Sequence, residues 1–188
     1  MPKTTTETKP APKSPAGAPP PLKDGTSTLK LGATTATVTK AKTTSLKLVR
    51  VIKAPAERIY QCFLDPDALA KWIPPHGFTG KVHKMDAKVG GSYKMSFSTI
   101  NRSWTQSFGG TYRELVPGKR IRYTDAFDDP NMKGEMAVTI DFKPVPGGTE
   151  LTILQEGIPA GPAADGAPYG WSQSLDNLAS LCEAELPF

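Results

Sequence analysis

The chain has 188 residues, of which 38% are hydrophobic and 22% charged, a composition that fits one globular domain with room for an extension. Its net charge of +5 is carried wholly by residues 1–45, where seven lysines stand against Glu7 and Asp24; residues 46–188 balance sixteen basic against sixteen acidic side chains. A nucleic-acid-binding domain carries its basic excess on the folded surface, so that class is disfavoured, and no apolar run approaches the ~20 residues of a membrane span.

Residues 1–43 contain no aromatic side chain, and seven of the first twenty-one are proline. Ordering such a segment costs conformational entropy that little apolar burial could offset. The expectation is a disordered Pro/Thr/Lys-rich tail over 1–43 and a folded domain over 44–188, with Leu29, Leu31 and Val38 leaving a short strand as the alternative. The N-terminus has neither the apolar core of a secretory signal nor the Arg-rich pattern of a transit peptide, which makes the cytoplasm the expected location. From Leu46 to Ile52 an apolar strand runs up to Ala54-Pro55, where proline suits the start of a helix. Ile59, Tyr60, Cys62 and Phe63 give that helix one apolar side. Asp65-Pro66-Asp67 then reads as an N-cap, a first-turn proline and a first-turn acid of a second short helix ending before Pro74-Pro75. Six strands follow, over 78–86, 92–99, 104–115, 119–127, 135–143 and 149–156, divided by turn residues. After a Gly/Pro/Ala-rich loop over 157–168, Trp171, Leu175, Leu178 and Cys182 recur at helical spacing. The fold class is therefore α+β: a curved seven-stranded antiparallel sheet, two short helices after its first strand, and one long C-terminal helix.

Strand alternation assigns the inward face. Tyr93, Met95 and Phe97 share it, as do Phe108 and Tyr112, and Tyr123 shares it with Asp125. Met136 and Gln155 face inward from the last two strands. A single helical stripe, led by Trp171 and Leu175, cannot fill a curved sheet near its open end, so a cavity is expected there, with Trp72 at its margin. These residues are the candidate ligand-binding set.

A family resemblance rests on separated motifs. Ala54-Pro55, Ile59-Tyr60, Phe63, Asp65-Pro66-Asp67, Leu69 and Trp72 resemble the opening signature of the bacterial single-domain proteins named for the activator of heat-shock-protein-90 ATPase. These belong to the START-related polyketide-cyclase (SRPBCC) superfamily. Gly90-Gly91-Ser92-Tyr93, the stretch from Gly110 to Pro117, Gly148-Thr149-Glu150-Leu151-Thr152 with Glu156-Gly157, and Gly170-Trp171 with Leu175 and Leu178 continue the likeness in order. It spans residues 46–186. The resemblance implies a helix-grip, START-like fold with a deep cavity between sheet and last helix, and no single chemistry, since such folds host carriers, receptors, cyclases and chaperone regulators. Ile73-Pro74 and Gln155 depart from the common pattern, where many members have Trp-Gly and His. No relative's ligand is therefore transferred.

The chemistry is sparse. Gly170-Trp171-Ser172-Gln173-Ser174 lacks the second glycine of a nucleophile elbow, and no glycine pair is followed by the lysine of a phosphate loop. His76 and His83 have no partner at metal-ligand spacing and read as surface or rim residues; Asp128-Asp129 read as turn acids. Cys62 and Cys182 are too few for a disulfide framework and read as small apolar helix residues. No metal and no cofactor are expected. Asp125 stands apart: an inward carboxylate costs free energy unless it is paired or protonated, and with a raised pKa it could act as a general base or orient a polar ligand group. The expected function is binding of a small apolar or aromatic molecule as a carrier, sensor or sequestering protein. A cyclase, hydratase or lyase using Asp125 is the alternative. A cofactor of heat-shock protein 90 comes third, because the eukaryotic activators carry a further N-terminal domain that residues 1–43 do not resemble. The expected partner is a small hydrophobic or aromatic ligand, with no nucleic acid and no membrane span, and the chain itself a monomer or weak dimer.

Overall fold

The structure, a computed structural model, describes residues 22–184. Its strands are β1 (Gly25–Leu31), β2 (Thr34–Lys40), β3 (Thr44–Ile52), β4 (Phe78–Met85), β5 (Ser92–Thr99), β6 (Thr105–Val116), β7 (Arg120–Phe127), β8 (Met136–Val145) and β9 (Gly148–Ile158). They form one antiparallel sheet in the order β1-β2-β3-β9-β8-β7-β6-β5-β4. Helices α1 (Ala56–Leu64) and α2 (Pro66–Trp72) bridge β3 and β4 across the sheet, and α3 (Pro162–Glu183) closes the chain.

Local chemistry explains the helices. Asp65 ends α1 and caps α2, its Oδ1 accepting the Ala68 N–H at 2.7 Å, and Pro66 occupies the first position, where its missing N–H costs nothing. Ile59, Phe63 and Trp72 turn inward; the Trp72 indole N–H donates to the Cys62 carbonyl at 2.8 Å and so ties α2 to α1. Between α1 and α3 the Cys62 and Cys182 thiols meet with their sulfurs 3.3 Å apart, both free. The densest core is made where α3 lies on the sheet: Leu46, Leu48, Ile140, Ile153 and Leu178 are all at most 1% exposed.

Two expectations are corrected. The sheet has nine strands among the described residues, not seven, because residues 25–40 form a hairpin rather than a disordered tail. Its turn opens at Gly32, which adopts a left-handed φ of 59°. Ala36 and Val38 lie fully buried against β3, while Thr residues, well suited to a pleated surface, fill much of the rest. Small side chains here do the work of large ones, because β2 sits close under α3. The expectation for residues 1–21 lies outside the described residues.

The second correction concerns 157–168, which is not all loop: α3 begins at Pro162 and runs through Pro168. Proline there removes one helical hydrogen bond. Tertiary bonds hold the turn nonetheless: Asp165 accepts from Lys40 Nζ at 2.8 Å and from the Leu22 N–H at 3.2 Å. Further along, the Ser172 hydroxyl donates to the Leu31 carbonyl at 3.2 Å, and Arg50 pairs with Asp176. The hairpin thus braces the first half of α3.

A chain beginning at Thr44 is therefore expected to melt at least about 5 °C below the full chain, since Val38, Ala36 and the Asp165 bonds are lost together. Thermal unfolding followed by circular dichroism checks this; an unchanged Tm would mean the hairpin contributes no stability.

Candidate functional site

Helix α3 packs mainly on β3, β2, α1 and α2. Strands β5 to β7 curve beneath the other side of it, and the space between is a half-enclosed cavity of about 180 Å³ with a mostly apolar lining. Side-chain alternation builds its wall. Tyr93, Met95 and Phe97 project from β5, Phe108 and Tyr112 from β6, and Tyr123 with Asp125 from β7. Gly110 lies between the two β6 aromatics at a point of close strand approach: a Cβ there would sit 1.7 Å from the Thr124 carbonyl oxygen. Met136 and Gln155 complete the floor, and Trp171 hangs from α3 as the roof. The roof is fixed in place by one bond, the Trp171 indole N–H donating to Gln155 Oε1 at 2.8 Å. Gln155 in turn directs its amide at the Met136 sulfur, 3.3 Å away.

Asp125 supplies the cavity's charge. It is 8% exposed, and its Oδ1 has no hydrogen-bond partner. Burial raises its carboxyl from an ordinary 3.8 to about 7, against the opposing pull of the Tyr93 hydroxyl, the Ala126 backbone N–H and the charge of Lys94. The aromatic rings of Tyr93, Tyr112 and Tyr123 pack against one another with centroids 5.5 to 6.3 Å apart. Burial first, and then the neighbouring carboxylate, push the Tyr93 and Tyr123 phenols well above their usual range, so both remain neutral donors. The arrangement can hold a compact molecule by its apolar body and offer it one acidic side chain, which can take up or release a proton near neutral pH.

Ten of the twelve residues that sequence alone nominated line the space; Trp72 and Leu175 do not. Trp72 is fully buried against Phe63, with ring centroids 4.7 Å apart, and belongs to the contact between α1 and α2. Leu175, 1% exposed, packs into the core one turn beyond Trp171. Sequence reasoning missed Phe63, Leu69 and Ile73, which close the cavity from the short helices, because it treated the sheet and last helix as the only walls. Ile121 and Phe127 were legible as inward by strand alternation and also line it. Ser174 reaches the lining too, its hydroxyl donating to the Ile73 carbonyl at 2.6 Å. That bond makes it a tether, in keeping with its failure to form a nucleophile elbow. His76 and His83 are exposed, and His83 Nε2 lies 2.8 Å from the Ser96 hydroxyl on the outer face of β5. Asp128 pairs with Lys94, and Asp129 accepts the Asn131 N–H at 2.8 Å as a turn acid does. Among the described residues no three His, Cys, Asp or Glu side chains gather as metal ligands would, and no helix is long and apolar enough to cross a membrane.

Known proteins resemble this arrangement. The sequence model of the family described as Activator of Hsp90 ATPase homolog 1-like protein matches residues 53–183. A crystal structure from Chromobacterium violaceum is 51% identical, with a TM-score of 0.72, and the match covers 75% of this chain and 98% of that one. The solution structure of an AHSA1-like protein from Aeromonas hydrophila is 22% identical over 74% of this chain and 92% of its own, with a TM-score of 0.61. A Mycobacterium smegmatis protein is 19% identical over 79% and 97%, with a TM-score of 0.65. The last two likenesses speak for the fold alone. Comparison with curated proteins gives no match.

The Asp125 environment has a consequence for stability. Its carboxyl titrates higher in the native state than in the unfolded chain, so between about pH 4 and pH 7 the native state binds more protons and stability falls as pH rises. The loss is complete above pH 7 and reaches about 4 kcal/mol. Asp125→Asn is expected to abolish it, so the variant should gain on the wild type by that order between pH 4.5 and pH 8 in urea unfolding. A gap between the two proteins that does not change with pH would contradict the assignment.

Proposed function

The chain belongs to the Activator of Hsp90 ATPase homolog 1-like family, and from that premise we propose that it binds one compact apolar or aromatic molecule between its sheet and last helix, as a carrier, sensor or sequestering protein. The observation that carries this reading is the cavity itself. Its volume of about 180 Å³ falls below the ~300–1,000 Å³ of drug-sized sites and suits a ligand of about one ring system. Apolar burial supplies the binding free energy, roughly 25 cal/mol per Å² removed from water before association costs. Aromatic and methionine walls adapt to such a body, while Gln155 and Asp125 fix its orientation.

Asp125 supports a second reading. A carboxyl held near 7 in a cavity has the protonation balance of a general acid or base, as a cyclase, hydratase or lyase requires. Carrier and enzyme part at one substitution: Asp125→Asn removes most turnover of an enzyme, by ~10²–10⁴-fold, but leaves a carrier its apolar contacts.

An environment-sensitive apolar dye is expected to bind the native protein with one-to-one stoichiometry. Met136→Trp, which fills the floor of the cavity, should weaken binding at least about tenfold. Fluorescence titration decides the matter. Saturation with no response to Met136→Trp would place the dye elsewhere, and absence of binding would overturn the proposal.

A further inference from the structure

The cavity is lined by one acidic side chain among the described residues. Asp125 is more than nine-tenths buried, and among the described residues its Oδ1 has no partner. A buried carboxylate short of donors carries part of its desolvation cost unrelieved, and a ligand bringing an N–H or O–H to the carboxyl relieves it. The rest of the wall narrows the choice of donor. Among the described residues no Lys, Arg or His side chain lines the space; Lys94, the cation nearest in influence, lies on the outer face of β5 and pairs with Asp128. A carboxylate or phosphate ligand would meet only the charge of Asp125 there and find no counter-ion. Tyr93, Tyr112 and Tyr123 form an aromatic cluster on the same side, with Phe108 and Phe127 beyond. Ring faces attract a cation, and more strongly when it is desolvated. A neutral alcohol gains the hydrogen bond but neither the charge pairing nor the ring contribution.

We infer that the cavity takes a compact aromatic amine, its ring among the β5–β7 aromatics and its ammonium group against the Asp125 carboxyl. This rests on the reading of the cavity as a ligand site. The small volume sets the scale at one ring with a short arm, and the Trp171–Gln155 pair closes over the ring end. Asp125 then determines specificity: it rejects isosteric acids by repulsion and ranks amines above alcohols and hydrocarbons of the same shape.

Four probes with one ring and nearly the same outline test this: benzylamine, benzyl alcohol, toluene and benzoate, titrated calorimetrically into the full chain at about pH 8, where the Asp125 carboxyl is mostly ionised. Benzylamine is expected to bind at least about tenfold more tightly than benzyl alcohol or toluene, with benzoate the weakest. Asp125→Asn, which removes a buried charge and so should fold, is expected to cut benzylamine affinity at least about tenfold more than that of toluene. If toluene or benzyl alcohol matches benzylamine, if benzoate binds best, or if Asp125→Asn leaves the ranking intact, the amine inference falls and the ligand cavity stands. If none of the four binds, toluene included, the cavity reading fails and takes the inference with it. The ranking in the unmutated protein decides even without the variant.

Discussion

The structure depends on one geometric constraint: one long helix, aided by two short ones, must cover the concave face of a sheet with nine strands among the described residues. Helix α3 is anchored at both ends of its reach. Lys40, Leu31 and Arg50 hold it over β1 to β3 through Asp165, Ser172 and Asp176, while its Ser174 and Asn177 side chains donate to the Ile73 and Pro74 carbonyls after α2. So held, α3 cannot sink onto β5 to β7, whose curvature carries them away. The bulky inward side chains of those strands narrow the remaining space without filling it.

Where packing stops, electrostatics takes over. The core under α3 centres on the aliphatic Leu46, Leu48, Ile140, Ile153 and Leu178, each at most 1% exposed. The cavity side instead concentrates phenols, a glutamine, an indole and a carboxylate. Burying Asp125 with its Oδ1 unpaired among the described residues works against folding. The Trp171–Gln155 bond plays the opposite part, satisfying two polar groups that would otherwise add to the cost.

The sequence carried much of this through periodicity. From 78 to 158 the strands alternate cleanly and are separated by Gly, Pro and Asn, so each matched the structure to within two residues, and Asp125 could be placed inward from its neighbours alone. The hairpin at 25–40 was illegible because its burial depends on Ala36, Val38 and threonines, which look like tail residues until a helix lies over them. The start of α3 was obscured by the surrounding Gly/Pro/Ala run: Pro162 suits a first helical position, while the preference of Pro168 inside the helix is overridden with help from the hydrogen bonds to Asp165. Trp72 was misplaced because a buried indole and a cavity indole look alike in sequence. What separates them is the partner: Cys62 carbonyl for Trp72, Gln155 for Trp171.

The central claim is that space remains between α3 and strands β5 to β7, and that its wall around Tyr112, Met136 and Trp171 is apolar enough to take an apolar body. Crystals pressurised with xenon measure this directly, because xenon enters apolar cavities of this size and is visible by its scattering. The account predicts a xenon site bounded by Tyr112, Met136 and Trp171, lost in Met136→Trp. Closely packed side chains with no xenon there would contradict it.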